Sequence, residues 1–436
     1  MKILHYGLGL PPARTGGLVQ YTLDLIREQM REGDHPVLLY PGRASWLRKT
    51  MFIDPLRADK SSGITVVELR NPLPLALFGG IREPKEFMKN GDENIFVDFL
   101  KDFSPDVIHL HSLMGLPKEF LQAARKLAIP IVMTSHDYFG LAPEPTFFFN
   151  GKNYINKNTP EEWAKIGLNA FSTRKLRLFQ SRMYPEFRSL YHGITAWRNQ
   201  KHNNGCKTIK NKGKFSNDLL EDYRLLMNYY LEMYRCISFF LFNSTLSRSI
   251  YQMCLGSEIE GTVLCLSNEQ IRPSFLKKNP HHKSRIAFIG QETDQKGFYD
   301  FLDISANLPP EKYEFHTYGY VPSTDYKGII QHGRYTSAQI DNIYKNIDIL
   351  VVPSRWNETL GFVTLEALSR NTPVVVSSHV GSKDLVPNKW IFESVADAIS
   401  IIQENPSFDE FQGQLITISE HTKSLKKEYY KVFNYT

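Results

Sequence analysis

The chain has 436 residues, which at about 150 residues per domain suggests two or three domains. Hydrophobic residues make up 42% and charged residues 22% of it, a composition typical of a soluble globular protein. No apolar run approaches a membrane span, the first residues do not resemble a signal peptide, and the four cysteines lack the spacing of a zinc site or a disulfide framework. We therefore expect a protein of the reducing cytoplasm.

The first half of the chain alternates predicted strands and helices. Strands are predicted at 2–8, 36–42, 106–112, 129–137 and 239–245, and helices at 19–33 and 119–128. A loop with the sequence PPARTGG, at 11–17, separates the first strand from the first helix. This alternation is typical of a parallel sheet covered by helices.

The second half repeats the pattern. Strands are predicted at 285–290, 313–319, 348–354 and 372–378, and helices at 298–308 and 337–346. Another helix, with the sequence FVTLEAL, is predicted to begin at Phe362. We therefore predict an α/β fold with two Rossmann-like domains, whose ligands bind at the carboxyl ends of the strands.

Two glycine motifs follow the first strand. Gly7 and Gly9 suggest a dinucleotide site, but Pro12 takes the place of the third glycine, so an NAD enzyme is disfavoured. Gly16 and Gly17 are better candidates for a loop whose amides approach a phosphate. The alternative is a plain surface turn.

Two carboxylates, Glu358 and Glu366, flank a predicted helix start in the stretch from Asn357 to Val376. On one helix they would be about 12 Å apart, beyond the roughly 5 to 9.5 Å used in glycoside hydrolysis. We interpret them as acceptors for different hydroxyl groups of one elongated ligand, with a phosphate between them at the helix start. The alternative is that Glu358 only complements the helix dipole and Glu366 is solvated.

Histidines mark the ends of two predicted strands. His109 and His111 alternate on one strand and share a face, but two ligands are too few for a metal site, so we assign them to pocket lining or core. His136 ends another strand. From its position alone, a structural histidine is the first interpretation.

The stretch 353–373, PSRWNETLGFVTLEALSRNTP, resembles the donor signature of the family 4 glycosyltransferases, Glu-x7-Glu. Glu358 and Glu366 stand in its two Glu positions. The resemblance extends over most of the chain and implies the two-domain GT-B fold.

Three further motifs support this resemblance. GQETDQKG at 290–297 resembles the diphosphate loop of the family, with Lys296 as its phosphate-binding lysine. TGG at 15–17 resembles the amino-terminal glycine loop. TSHDYF at 134–139 resembles the motif that supplies an active-site histidine, here His136.

The resemblance implies a retaining sugar transferase that uses a nucleotide-diphosphate sugar, with a UDP-sugar favoured over a GDP-sugar, and needs no cofactor and no metal. Its catalytic residues would be His136, Glu358 and Lys296. The donor-binding residues would be Gly16, Gly17, Arg14, Gly290, Gln291, Lys296, Arg355, Glu358, Thr359, Leu360, Gly361, Phe362 and Glu366. The domains would span 1–272 and 273–419, with a helical insertion at about 144–235 in the first and a last helix at about 420–436 that packs back onto it.

Physical chemistry supports these roles. Departure of the leaving group puts negative charge on a diphosphate, which Lys296, the amides at 360–362 and Arg14 would stabilise. Glu366 would accept from the ribose hydroxyls, and Glu358 would hold a hydroxyl of the donor sugar near the reacting carbon.

The chain also departs from the family pattern. Gln291 stands where the family usually has an arginine, so one cation for the diphosphate is missing. Arg355 or Lys383 could substitute for it. Two alternatives to the transferase therefore stay open, a binding protein of the same fold without turnover and a nucleotide-sugar epimerase.

The segment 171–215 is strongly basic. It holds eleven lysines and arginines against one glutamate, a net charge of +10 in a chain whose total is +6. An apolar helical stripe, interrupted at Pro185, runs through Leu176, Phe179, Met183, Phe187 and Leu190, and a second helix is predicted from Asp218.

Basic residues beside aromatic ones suit an anionic membrane surface. We therefore expect peripheral attachment to the inner face of the cell membrane and a glycan or lipid-linked glycan as acceptor, in the synthesis of a surface polysaccharide. The alternative is a solvated helical lid. Nucleic acid is not expected as a partner, because no base-recognition motif accompanies the charge.

Overall fold

The computed structural model describes residues 1–45, 50–77, 79–180 and 215–435. Residues 181–214 contain most of the basic segment, with Met183, Pro185, Phe187 and Leu190, so that part of the prediction lies outside the described residues.

The amino-terminal half is built on one sheet. The strands of the amino-terminal half are β1 (Lys2–Tyr6), β2 (His35–Pro41), β3 (Phe52–Ile53), β4 (Arg57–Ala58), β5 (Thr65–Arg70), β6 (Val107–Leu110), β7 (Ile131–Thr134), β8 (Phe148–Phe149), β9 (Lys152–Asn153), β10 (Phe239–Phe242) and β11 (Gly261–Val263). The sheet has the order β11-β10-β7-β6-β1-β2-β5-β3 and is parallel except for β3 and β4, which pair with β5 in the antiparallel sense. Strands β8 and β9 form a separate hairpin.

The carboxy-terminal half contains a second, fully parallel sheet. Its strands are β12 (Ser284–Ile289), β13 (Tyr313–Tyr318), β14 (Ile329–Gln331), β15 (Ile349–Val352), β16 (Val374–Ser377) and β17 (Ile391–Phe392). They have the order β14-β13-β12-β15-β16-β17. The β-branched residues of β16, Val374 to Val376, are fully buried, as expected for a strand covered on both faces.

Helices cover the two sheets. They span Gly17–Arg31, Glu93–Phe103, Lys118–Lys126, Pro160–Gly167, Thr173–Phe179, Asn217–Tyr234, Thr245–Leu255, Phe298–Ala306, Ile340–Lys345, Phe362–Leu368, Val395–Gln403 and Ile418–Tyr435. Short 3-10 helices lie at Pro84–Phe87, Ile155–Lys157, Ser337–Gln339, Gly381–Leu385, Asn388–Trp390 and Phe408–Glu410. The predicted α/β class with two parallel sheets is confirmed.

The last helix, Ile418–Tyr435, crosses back to the amino-terminal half. Leu425 and Tyr429 are buried against Tyr21 and Leu25 of the first helix. Lys426 forms an ion pair with Asp34, with 2.8 Å between Nζ and Oδ1. This helix therefore ties the end of the chain to the first sheet.

The described part of the insertion is packed on the first sheet's helices. The predicted second helix is present at Asn217–Tyr234, where Ser216 caps it by accepting from the amide of Leu219. Its apolar side, with Leu226 and Met233, belongs to the core of the amino-terminal half. Among the described residues, no helix has the length and apolar character needed to cross a bilayer.

Candidate functional site

A cleft of about 810 Å³ lies between the two sheets. It is lined at the same time by the glycine loop of the first half and by the strand ends of the second half. Among the residues predicted from the sequence, its lining includes Gly16, Gly17, Gly290, Gln291, Lys296, Glu358, Phe362 and Glu366. The volume is in the range of sites that hold a small molecule or cofactor.

Close approach of the two halves depends on small residues. A Cβ on Gly17 would lie 3.2 Å from Cδ2 of Phe362, the first residue of the opposite helix. Gly361, just before that helix, has φ of 90°, and a Cβ there would lie 2.9 Å from Cγ1 of Val380. A side chain at Gly361 would be strained by its backbone and crowded by its neighbour.

Lys296 and Glu358 form an ion pair at the cleft, with 2.7 Å between Nζ and Oε1. Ser354 donates to the other oxygen of Glu358, Oε2, at 2.7 Å. The ammonium of Lys296 also lies 5.5 Å from the centre of the Trp356 ring. The predicted cation and the predicted sugar-binding carboxylate are thus brought together, and Ser354 orients the carboxylate.

Glu366 lies in the same cleft, on the helix Phe362–Leu368. Burial raises the pKa of its carboxyl to about 7, against the opposing effect of Arg370. Within the described residues its carboxylate makes no hydrogen bond. A half-buried acceptor without a partner is suited to the hydroxyl groups of a ligand.

The other predicted cations are not part of the cleft lining. Arg355 forms ion pairs with Asp294 and Asp300, the latter at 3.2 Å, and its backbone carbonyl accepts from Asn153. Lys383 donates to the carbonyl of Ser378 at 2.7 Å. The structure therefore does not bring the expected substitute for the missing arginine into the cleft.

Arg14 lies in a different cavity, of about 300 Å³, in the amino-terminal half. Arg43, Arg57, Asp59 and Glu68 also line this cavity. It adjoins the cleft, because both are bounded by the loop that carries Arg14 and Gly16. Arg14 is therefore placed on the first half's own cavity, and the geometry does not support its predicted contact with the diphosphate.

The residues between Glu358 and the helix brace the two halves. The hydroxyl of Thr359 donates to the carbonyl of His136 at 2.9 Å, and the carbonyl of Thr359 accepts from the hydroxyl of Ser244 at 2.7 Å. Leu360 is buried, and its carbonyl accepts from the amide of Ser382. Thr359 and Leu360 thus hold the turn against the first half, and they are not part of the cleft lining.

His136 lies two residues beyond the end of β7, outside the cleft lining, and its ring contacts the side chains of His111 and Tyr21. Nε2 of His136 lies 3.1 Å from Nδ1 of His111, and its ring is 5.0 Å from that of Tyr21. Burial lowers the pKa of His136 to about 3, so the ring is neutral at neutral pH. The histidine predicted from the motif is therefore adjacent to the turn that carries Glu358.

The structure adds histidines that sequence reasoning did not select. His5 and His421 join His109 and His111 in a buried group behind His136. One sign was available in the sequence, because His5 lies on the first predicted strand. In the structure β1 pairs with β6, and His5 lies opposite His109. Ring nitrogens of His5, His109 and His111 lie within 4.8 Å of one another, close enough to share a metal ion.

Two protein families match the chain. The family described as Glycosyltransferase Family 4 matches residues 15–173, and the one described as Glycosyl transferases group 1 matches residues 283–405. Together the two matches cover more than half of the chain and fall on its two sheets.

Similar proteins agree with these matches. An uncharacterized 42.6 kDa protein in the cps region of Klebsiella pneumoniae is 21% identical over 345 residues, which cover 77% of this chain and 74% of that protein. The sucrose-phosphate synthase of Thermosynechococcus elongatus has a TM-score of 0.57 at 12% identity and full coverage of both chains. Anabaena HepE in complex with UDP and glucose has a TM-score of 0.53 at 13% identity, covering 100% of this chain and 97% of that one. At these identities the two structures show the fold alone, which is the predicted GT-B fold.

Proposed function

We propose, on the premise that this chain belongs to the family 4 type of glycosyltransferases, that it transfers a sugar from a nucleotide-diphosphate donor to a glycan or lipid-linked glycan. The family match concerns a transferase, while the donor, the acceptor and the retention of anomeric configuration are our proposal. The product would belong to a surface polysaccharide, consistent with the relative in the cps region.

The observation that carries the proposal is the composition of the cleft. A glycine loop from one sheet faces Lys296, Glu358 and Glu366 from the other. An ammonium suits a diphosphate, whereas the two carboxylates suit hydroxyl groups. One elongated ligand with sugar, diphosphate and ribose would satisfy all of these groups together.

Lys296 has the central electrostatic role in this proposal. Negative charge develops on the diphosphate as the bond to the sugar breaks, and a fixed cation stabilises that transition state more than the ground state. Glu358 holds the ammonium of Lys296 in place through their ion pair, and Ser354 holds Glu358 by a hydrogen bond. Glu358 would then position a hydroxyl of the donor sugar, and Glu366 would accept from the ribose.

A UDP-sugar is the favoured donor, with a GDP-sugar as the alternative. The support is the complex of HepE with UDP and glucose, a protein with the same fold. We place the acceptor at the adjoining cavity, whose lining contains Arg14, Arg43 and Arg57. These cations would suit an acceptor that carries acidic sugars or a lipid phosphate.

The test is incubation of the purified protein with UDP-, GDP- and ADP-sugars while nucleotide release and thermal stability are followed. A donor present at a hundred times its Kd stabilises the folded state by about 2.7 kcal/mol, which is readily measured. We expect one nucleotide class to stabilise the protein and to be released when acceptor glycolipid is added. If no nucleotide stabilises the protein, the donor site is wrongly assigned.

A binding protein without turnover is the second candidate. The observation that favours it is Gln291, which is exposed in the cleft where the family usually has an arginine, while Arg355 is held by Asp294 and Asp300. The same assay separates the two candidates. Stabilisation by a nucleotide sugar without release, even with acceptor present, would favour the binding protein.

A further inference from the structure

A row of hydrogen bonds links His136 to the far end of the first helix. Nε2 of His136 lies 3.1 Å from Nδ1 of His111, and Nε2 of His111 lies 3.0 Å from Nδ1 of His5. Nε2 of His5 in turn lies 2.7 Å from Oε1 of Gln29. Gln29 is twelve residues beyond Gly17 on the same helix, or about 18 Å along its axis.

A second row begins at a backbone carbonyl. Nδ1 of His421 lies 3.0 Å from the carbonyl oxygen of Cys265, and its Nε2 lies 2.8 Å from the hydroxyl of Tyr21. A separate hydrogen bond joins β7 to β6. Oγ1 of Thr134 lies 2.7 Å from Nε2 of His109.

Tyr429 extends this last bond. Its hydroxyl lies 2.6 Å from Nδ1 of His109. The row from Gln29 to His136 and the separate bonds of His421 and His109 therefore bring together side chains of the first helix, three strands and the last helix.

All five histidines in these rows are neutral at neutral pH. Burial lowers the pKa of His5 and His421 to about 4 and of His136 to about 3. It also lowers the pKa of His109 and His111 well below the usual value. A neutral imidazole carries one proton, so each ring donates through one nitrogen and accepts through the other.

The carbonyl of Cys265 fixes the direction of the two bonds of His421, because a carbonyl only accepts. His421 must donate from Nδ1 and accept through Nε2 from Tyr21.

The remaining links follow from the same rule. The side-chain oxygen of Gln29 faces Nε2 of His5 and can only accept, so His5 must donate from Nε2. His111 and His136 then also donate from Nε2 and keep Nδ1 without a proton.

We propose that Gln29, His5 and His111 are positioning residues that hold His136 with its proton on Nε2 and a bare Nδ1, which accepts a hydrogen bond from a substrate hydroxyl. Within the described parts of the chain, Nδ1 of His136 makes no hydrogen bond, which leaves it to a ligand. The contact with substrate rests on the proposed transferase function, whereas the protonation pattern does not.

The same geometry argues against a metal in the His5, His109 and His111 group. Both ring nitrogens of each of these histidines already lie within 3.1 Å of a hydrogen-bond partner. Metal binding would have to break several of these buried hydrogen bonds, each worth about 1 kcal/mol, and would leave their partners unsatisfied.

The first test is nuclear magnetic resonance of the full-length protein labelled with nitrogen-15 in histidine. Long-range proton–nitrogen spectra separate a bare ring nitrogen from a protonated one, and a His136→Gln sample assigns the signals of His136. We expect His136 to show a bare Nδ1 and a protonated Nε2. A protonated Nδ1 in the wild-type protein would overturn the proposal, whatever the outcome of the activity assays.

The second test uses Gln29, which lies remote from the cleft. Gln29→Leu removes the acceptor for His5, so we expect the bare Nδ1 signal of His136 to weaken and kcat to fall about ten-fold or more, with KM for the donor little changed. Gln29→Glu keeps an acceptor and should restore both. His316→Phe, which removes a buried histidine from the second half, serves as control and should change neither. An unchanged His136 signal in Gln29→Leu would contradict the proposed row.

Discussion

Glu366 couples donor binding to pH. Its raised pKa of about 7 means that the folded protein without ligand retains a proton that the unfolded chain loses near the usual value of 4.5. Its contribution to stability is therefore full below that usual value and is lost as the pH rises toward 7. Ribose hydroxyls donate to the ionised form, so donor affinity should rise with pH through about 7 and then level off.

Glu366→Gln tests this coupling. The variant has no titrating group, so its gain in melting temperature over the wild type should be larger above pH 7 than near the usual carboxyl pKa. It should bind the donor about ten-fold more weakly above pH 7, because a hydrogen bond to a charged group is worth about 1.5 to 3 kcal/mol. Thermal denaturation across the pH range measures the melting temperatures, and calorimetric titration measures the donor affinities. An equal pH dependence of donor binding in wild type and variant would rule out Glu366 as the coupled group.

Lys296 is expected to dominate the stabilisation of the leaving group. Lys296→Met should lower kcat/KM by about a hundred-fold or more, in the range seen when a preorganised charge-stabilising donor is removed. Lys383→Met is the matched control, because Lys383 is also a lysine of the second half but donates to the carbonyl of Ser378 and is not part of the cleft lining. Steady-state kinetics should show little change for Lys383→Met. Equal losses in the two variants would contradict the special role of Lys296.

The sequence predicted the position of a single residue in the cleft where that residue lies within a local motif. Lys296 and Glu358 lie in the segments that follow β12 and β15, Glu366 lies on the next helix, and the structure brings all three to one cleft. The sequence did not place Arg355, because its partners Asp294 and Asp300 lie about sixty residues away along the chain. Nor could periodicity find the row behind His136, since Gln29, His5 and His111 lie far apart along the chain.

The last helix is an element whose packing should matter for the whole fold. Leu425 is fully buried between this helix and the first one. Leu425→Ala should lower the free energy of unfolding by about 2 to 5 kcal/mol, the usual range for a buried leucine. Lys427→Ala, two residues away and exposed, is the control and should change it little.

Chemical denaturation of the two variants measures this difference. Equal midpoints for Leu425→Ala and the wild type would mean that the helix does not contribute to the folded core. A loss restricted to one transition, if two are seen, would show which half the helix stabilises.

The order of elements was largely predictable, and their exact ends were not. Most strands with several consecutive apolar residues, such as β1, β10 and β16, were placed correctly. Strand β6 ends at Leu110 and β7 at Thr134, earlier than predicted, so that His111 and His136 lie beyond the ends of their strands. Short edge strands such as β14 and β17 carry too few residues for a periodic signal.

At the scale of the molecule, several contacts hold the two halves against each other. Asp384 of the second half accepts from the amide and the hydroxyl of Thr245, at 2.6 and 2.7 Å. Thr359 bonds to His136 and Ser244 of the first half. These contacts lie beside the cleft and hold the two halves together there.

Peripheral attachment to membranes stays a prediction. Of the basic segment, Arg174 and Lys175 are described and exposed, whereas Arg177 donates to the carbonyl of Pro72. Each charge near an anionic surface is worth about 1 kcal/mol, so replacing Arg174 and Lys175 by glutamine should weaken binding to anionic vesicles about thirty-fold. Replacing Lys60 and Lys157, outside the segment, is the control. Vesicle sedimentation that does not depend on anionic lipid or on salt would contradict this prediction.

The central claim, a nucleotide-sugar site in the cleft between the two sheets, is tested most directly by a crystal structure of the protein with UDP. We predict the diphosphate beside Lys296 and the loop of Gly16 and Gly17, and the ribose hydroxyls within hydrogen-bond distance of Glu366. Nucleotide bound elsewhere, or in the cleft without contact to Lys296 and Glu366, would contradict the account.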